Sequence, residues 1–556
     1  MKESPPSTGT QASIPAALTL AEQLLARNLQ TRPHALAFVG DGLRMDYAGF
    51  GRLVDETEQW LAARGVGRGD VIAVWLVNRV EWLALWFALA RRGAALMAVN
   101  TRYRAHELEH ILETSRARML VLQLNFRKID FPAVLESVGQ QAAAALDCVA
   151  VLDPPENMPG TVLGKPAVAW TPGRTAAGAS AGMRHAESPA GAADPDLPSI
   201  LFTTSGTTSK PKLVVHTQRT ITLHSQRVAA AYGIAADDAV LLAMLPFCGV
   251  FGFNGALAAF CTGRPVVMLD VFDSTTAARL LAEHAVTHTF GSDEMYRRIL
   301  DHVEAQRPFP AARVFGYAAF QPGFETYAAA AWERSVPLTG LYGSSEVQAL
   351  FALQPHSLAV GERVRGGGAP ASPDARVRVR DTESGALLPP GESGMLEIAA
   401  PTNFVGYLRD DAATRAAIDD EGYFRTGDIG YLRADGTFVY QTRQGDAIRL
   451  AGFLVNPAEI EDALEQQPGV ASAQVVAVEI DRRTVPVAYI IPTAGAQPDA
   501  DTIRADLAGK LASFKVPARI WRIDSFPVAE SSNGTKVQRA RLRQMAQERL
   551  AEEDRP

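Results

Sequence analysis

Short apolar runs separated by stretches of helical periodicity constrain this chain more than any other feature. Residues 71–77, 119–122, 149–152 and 266–269 are the runs, and residues 81–92 and 274–285 carry apolar positions at helical spacing. Runs this short and apolar read as strands buried on both faces. Their alternation with helices predicts an α/β fold of mostly parallel, helix-covered sheets. At about 150 residues per domain, 556 residues divide into roughly three to four packed units. Past residue 440 the pattern changes to a smaller α+β unit. It has a strand region at 448–455, a helix at 457–466, strands near 473–479 and 485–491, and a charged amphipathic helix over 536–552 with Val537, Leu542, Met545 and Leu550 near one side.

Charge and cysteine content narrow the classes of partner. Lys and Arg number 54 against 61 Asp and Glu, a net charge of −7, so neither nucleic acid nor an anionic membrane is an expected partner. Cys148, Cys248 and Cys261 have no metal-ligand spacing and read as buried thiols of a reducing compartment. The first 13 residues are polar and Pro/Ser-containing, and no run reaches the length of a membrane span. The cytoplasm is the expected location, with a monomer or homodimer as the assembly.

The densest local chemistry lies in Phe202-Thr203-Thr204-Ser205-Gly206-Thr207-Thr208-Ser209-Lys210-Pro211-Lys212, between apolar runs at 200–202 and 213–215. Backbone N–H groups in a glycine-containing turn converge on an anion, hydroxyls add donors and lysine adds positive charge, so the turn suits phosphate. It is not a Walker loop, because Gly206 is not followed by a second glycine and a Lys-Ser/Thr pair in that register. Taken alone, such a stretch reads more readily as an ordinary polar turn. A Gly/Ala/Ser/Pro-rich connection over 171–195 precedes it and reads as a surface linker.

Further motifs follow in order: Tyr342-Gly343-Ser344-Ser345-Glu346; Tyr423-Phe424-Arg425-Thr426-Gly427-Asp428; Arg443 and Asp446; Gly452 and Asn456-Pro457-Ala458-Glu459-Ile460-Glu461; and Gly534-Thr535-Lys536. With the phosphate turn, they resemble the adenylate-forming superfamily of acyl-CoA synthetases, aryl-CoA ligases, luciferases and adenylation domains. Gly69-Asp70-Val71, Asn78-Arg79-Val80-Glu81 and Asn100-Thr101-Arg102-Tyr103 resemble its CoA-ligase branch.

The resemblance implies ATP, Mg²⁺ and coenzyme A as reaction partners of a small-molecule carboxylate. The carboxylate attacks the α-phosphate of ATP, pyrophosphate leaves, and a thiol then displaces AMP. Because carboxylate and triphosphate repel, such a site works mainly by positioning and charge neutralisation. The resemblance further implies that Thr204, Ser205, Gly206, Thr207, Thr208 and Lys212 hold phosphates, that Tyr342, Gly343, Ser344 and Ser345 flank adenine and α-phosphate, and that Asp428 and Arg443 bind ribose. Glu346 is the implied Mg²⁺ ligand, a hard oxygen donor beside phosphate. Lys536 is the implied catalytic residue, bridging carboxylate and α-phosphate as the transition state forms. The implied layout is a flexible N-terminus over 1–15, an AMP-binding domain over 16–442 with a β-barrel-like subdomain, a hinge over 443–446 centred on Gly445, and a mobile C-terminal domain over 447–556. That domain would bring Lys536 to the site for adenylation and then the loop around Ala451 and Gly452 for thioester formation.

Several positions depart from the pattern. Ser209 and Leu213 stand where glycine is common, Ser345 where threonine is, and Gly534-Thr535-Lys536 where Thr-Gly-Lys is usual. Gly249 stands where many CoA ligases carry a His or aromatic gate, which widens the passage or pocket. Residues 290–296, Tyr317 to Phe320, Gly343 and Gln348 are expected to line the acyl pocket, with Phe290, Tyr317 and Phe320 as its aromatics, although core packing accounts equally well for Tyr317 and Phe320. No cationic partner is visible among them, so an apolar aryl or medium-chain monocarboxylate is the expected substrate. Two other readings remain open: loading of a carrier-protein phosphopantetheine, and a catalytically silent nucleotide or acyl binder.

Overall fold

A computed structural model describes residues 17–553 except 41, 127, 174–193, 205–210, 319–323, 451–452, 481–482, 512 and 532–533. The chain forms two large sheets and a small C-terminal α+β domain. The apolar runs are strands as expected: Val71–Trp75, Met119–Leu122, Cys148–Leu152 and Val266–Met268.

One sheet places Val71–Trp75 between the parallel strands Ala95–Ala98 and Met119–Leu122, and Cys148–Leu152 continues it. On its other side Pro198–Thr203 pairs in parallel with Ala95–Ala98 and antiparallel with Leu213–Thr217. The second sheet has a parallel half, running from Leu36–Gly40 to Leu338–Ser344, and an antiparallel half. The antiparallel half contains Gln348–Leu353, Gly367–Pro370, Phe424–Leu432 and Phe438–Arg443. The region expected to be barrel-like thus continues the large sheet as an antiparallel ladder.

Two helices fill the space between the sheets. Every residue of Val250–Cys261 is buried, as is all of Val80–Arg91 except Glu81, which is what a helix covered on all sides requires. Phe253 packs against Trp82 and Trp86, with ring centroids 5.6 and 5.2 Å apart. These contacts join the two helices.

In the C-terminal domain, Val470–Ile480, Arg483–Pro492 and Arg519–Arg522 form a three-stranded sheet. Helix Pro457–Glu465 contributes Ile460 and Leu464 to one core; Leu542 and Ala546 of Arg539–Glu553 join a second core with Val476, Val478 and Tyr489. The expected helix start at residue 536 is corrected. Gly534–Val537 is a strand paired with Val528–Ser531, and the helix begins at Arg539. Lys536 therefore sits opposite Ala529 in a hairpin, because Val537 extends the ladder against Val528 before the chain turns helical. Among the described residues no helix is long and apolar enough to cross a membrane.

Candidate active site

Antiparallel pairing of Pro198–Thr203 with Leu213–Thr217 sets the phosphate turn. Thr204 N–H donates to the Lys212 carbonyl at 3.0 Å, and Lys212 N–H donates to Thr204 Oγ1 at 3.1 Å, closing the neck. Ser205, Gly206, Thr207, Thr208 and Ser209 lie outside the described residues. Tyr103 O–H donates to Thr203 Oγ1 at 2.8 Å, and Ser345 O–H donates to the Thr203 carbonyl at 3.1 Å. The Ser345 carbonyl in turn accepts from His216 Nε2 at 2.7 Å. That bond assigns the proton to Nε2, and burial lowers the His216 pKa to about 4.

Strand Leu338–Ser344 carries the next motif to the same place. A Cβ on Gly343 would fall 2.6 Å from Ala349 Cα and 2.7 Å from the Gln348 carbonyl, so the close crossing of the two strands excludes a side chain there. Ser344 Oγ accepts from Glu346 N–H at 3.2 Å, which turns the chain and presents the carboxylate. Tyr407 O–H donates to Glu346 Oε1 at 3.0 Å, while Lys212 Nζ stands 4.7 Å from the centre of the same tyrosine ring. Burial, with the Glu346 charge beside it, pushes the Tyr407 hydroxyl far above its ordinary pKa. Tyr407 therefore holds an acidic group at its hydroxyl and a basic group over its ring.

Asp428 and Arg443 face each other in register across Phe424–Leu432 and Phe438–Arg443. Arg443 Nε lies 3.0 Å from Asp428 Oδ1, and Tyr342 O–H donates to Asp428 Oδ2 at 2.6 Å. The Asp428 charge raises the Arg443 pKa. Thr426 Oγ1 accepts from Asp428 N–H at 2.9 Å and donates to the Leu396 carbonyl at 2.7 Å, fixing the acidic residue from behind. The Tyr342 ring is buried, edge-on to Phe438 at 5.3 Å and tilted against Tyr440 at 5.8 Å.

The expected acyl-pocket residues are placed more diversely. Phe290 is buried in a slot made by two glycines: a Cβ would come within 3.2 Å of its ring at Gly255 and 2.7 Å at Gly316. Beside it, a cavity of about 10 Å³ is bounded by Met244, Phe251, Gly252 and Phe290, room for about one water molecule. Tyr317 is buried; its hydroxyl donates to the Val364 carbonyl and its ring packs edge-on against Phe324. Gln348 is buried and commits its amide to the carbonyls of Thr220 and Thr402 and to Asn254. Gly249 caps helix Val250–Cys261 next to Cys248, whose thiol burial pushes up to about 11. Phe320, Ala451 and Gly452 lie outside the described residues, and of Lys536 only the backbone is placed.

Glu346 offers the kind of donor that Mg²⁺ takes from a protein, one hard carboxylate. Among the described residues no group of three or more His, Cys, Asp or Glu side chains forms a metal cage. Tyr407, Tyr103 and His216 are site residues that sequence reasoning missed. Tyr407 reaches Glu346 from 61 positions away, on a two-residue strand paired with Val214 and Val215, and no spacing signal marks it.

Two family models match the chain: that of the AMP-binding enzymes over residues 25–408, and that of their C-terminal domain over residues 459–533. The chain is 32% identical over 499 residues to the 3-[(3aS,4S,7aS)-7a-methyl-1,5-dioxo-octahydro-1H-inden-4-yl]propanoyl:CoA ligase of Mycobacterium tuberculosis, covering 87% of this chain and 90% of that one. It is 27% identical over 527 residues to the putative acyl-CoA synthetase YngI of Bacillus subtilis, covering 92% and 93%. Among solved structures, ATP-bound MatB from Rhodopseudomonas palustris superposes with a TM-score of 0.76 at 26% identity, covering 94% and 98%. The chain therefore belongs to the AMP-binding enzyme family, in the CoA-ligase branch of the adenylate-forming superfamily, as an AMP-forming acid–thiol ligase.

Proposed function

We propose that the protein joins an apolar monocarboxylate, aryl or medium-chain acyl, to coenzyme A in two steps. The carboxylate first displaces pyrophosphate from ATP to give an acyl adenylate; the CoA thiolate then attacks the acyl carbon and AMP leaves. The observation that carries the reading is the pairing of Lys212 and Glu346 across Tyr407 at the neck of the phosphate turn. Lys212 is placed to offset triphosphate charge, and Glu346 to hold Mg²⁺, which supplies charge neutralisation on the phosphate oxygens.

In this reading Asp428 and Arg443 bind the ribose hydroxyls. Asp428 now receives Tyr342 and Arg443, so nucleotide binding exchanges one set of donors for another at a carboxylate already desolvated and fixed. Lys536 supplies positive charge between carboxylate and α-phosphate. The apolar lining beside Phe290 favours a substrate without a second charge. The propanoyl:CoA ligase relative, named for an acid with a bulky bicyclic diketone substituent, supports a large acyl group without a second carboxylate.

Pyrophosphate release measured across aryl, branched and straight-chain acids, with and without CoA and with products identified by mass, tests the proposal. A CoA thioester from one preferred apolar acid is the expected result. Preference for a dicarboxylate would overturn the substrate class, and adenylate that accumulates despite CoA would overturn the acceptor.

A further inference from the structure

Among the described residues, the hairpin that carries Lys536 joins no larger sheet: Val528–Ser531 and Gly534–Val537 pair with each other. A two-stranded hairpin is marginal on its own and does not fix its own direction. The residue that leaves it, Arg539, has unusual surroundings for a helix N-terminus. One terminal nitrogen of its guanidinium donates to both carboxylate oxygens of Glu461 at 2.7 Å. Glu461 is fully buried in helix Pro457–Glu465 and also accepts the Val475 N–H at 2.8 Å. The other terminal nitrogen lies 3.9 Å from Asp446, next to Gly445, where the chain enters the C-terminal domain.

A buried ion pair is a poor device for stability, since apolar residues of similar volume serve as well or better. Two short charge-assisted bonds to one fixed carboxylate do impose direction. Glu461 is itself pinned by a strand of the domain sheet, so the pair transfers the orientation of that sheet to the exit of the hairpin, three residues from Lys536. Asp446 adds a weaker contact from the joint between the domains.

We propose that Arg539, held by Glu461, is the positioning residue that aims Lys536 in the adenylation step, and that Asp446 ties this aim to the state of the joint. The inference rests on the role assigned to Lys536. It acts on one half-reaction only, because thioester formation begins from an adenylate already made and does not use that lysine.

The test separates the half-reactions in Arg539→Gln, Arg539→Lys and the double variant Glu461→Gln/Arg539→Gln, with Lys536→Ala alongside. The double variant leaves no unpaired buried charge, which protects the fold. Pyrophosphate release from ATP and acid reads the first step; thioester formation from synthetic acyl adenylate and CoA reads the second. The expected result is a fall on the order of tenfold to hundredfold in the first step, as for a displaced catalytic group, with the second within about twofold of wild type. Arg539→Lys, which keeps the charge without the planar fork, should fall in between. Equal loss of both steps would reduce Arg539 to a structural residue and overturn the proposal, as would unchanged adenylation in all three variants while Lys536→Ala is impaired. Unchanged adenylation in Lys536→Ala would instead remove the role of the lysine itself, and the positioning role with it.

Discussion

The two halves of the candidate site are held in different ways. On the large domain, Asp428 is fixed by Thr426, Tyr342 and Arg443 on a strand that pairs on both sides, while Glu346, in the turn after Leu338–Ser344, is fixed by Ser344 and Tyr407. On the small domain, Lys536 rides a two-stranded hairpin whose exit is tied down by one arginine. The half proposed to bind nucleotide is preorganised through many shared bonds, whereas the proposed lysine arm depends on few. Substitutions on the arm should therefore change rate without changing nucleotide affinity, and substitutions in the large domain should do the reverse.

Lys536→Ala is the sharpest way to break this contrast. Adenylation should fall by about 10²-fold or more, the size of losing one electrostatic stabiliser, while ATP binding measured by calorimetry stays within about threefold. A parallel loss of ATP affinity would mean that the lysine belongs to the binding half. Asp428→Asn makes the reciprocal prediction. It removes the charge opposite Arg443 and leaves one acceptor oxygen where Asp428 offers two, so the KM for ATP should rise about tenfold or more, with a smaller change in kcat at saturating ATP. A kcat-only effect in steady-state kinetics would contradict the assignment of Asp428 to ribose.

Acid provides a third, milder probe of the preorganised half. His216, His224 and His288 each have a pKa lowered to about 4 by burial, against an ordinary value of 6.5, and each bonds a backbone carbonyl, of Ser345, Ala349 and Tyr232 respectively. Between pH 6.5 and 4 the unfolded chain binds protons that the folded chain refuses, so stability falls as pH falls through that window and is fully present above it. Thermal melts at pH 7.5 and 5 should show Tm lower by several degrees at pH 5. His216→Gln, which keeps a donor to the Ser345 carbonyl but does not titrate, should reduce that difference. An unchanged pH dependence in this variant would show that His216 does not contribute to it.

The contrast also explains what could be read from the chain alone. The buried strands announce themselves as apolar runs bounded by polar residues, since both faces of Val71–Trp75 or Met119–Leu122 are covered. The hairpin of Lys536 gives no such signal. Its strands are four residues each and mostly small or polar, and Val537 fits a helix face as well as a ladder, so the helical pattern of the sequence runs three residues past the true helix start at Arg539. At the site, Glu346, Asp428 and Arg443 stand in motifs and were legible as candidates. Tyr407 was not, because a tyrosine brought to Glu346 by pairing of Gly406–Tyr407 with Val214 and Val215 has no local periodicity. Tyr342 was expected to present its ring to adenine. Its burial against Phe438 and its bond to Asp428 follow from the antiparallel packing of distant strands, which local sequence does not encode.

Gly445 gives the smallest and most selective test of the comparison. A Cβ built there meets nothing within 4 Å and its φ lies outside the left-handed region, so this conformation requires no glycine at the joint. Gly445→Ala should therefore leave the folded state intact and change stability by at most about 1 kcal/mol, in the stabilising direction, through the lower entropy of the unfolded chain. If the small domain must rotate between adenylation and thioester formation, the joint passes through backbone angles that alanine disfavours. Thioester formation should then slow by about two- to fivefold, an estimate from the modest cost of a Gly-to-Ala change, with adenylation unaffected. Wild-type rates for both steps in pre-steady-state measurements on the variant would mean that the joint turns without calling on the freedom of Gly445, and that the weak tethering of the lysine arm lies in its hairpin rather than in its hinge.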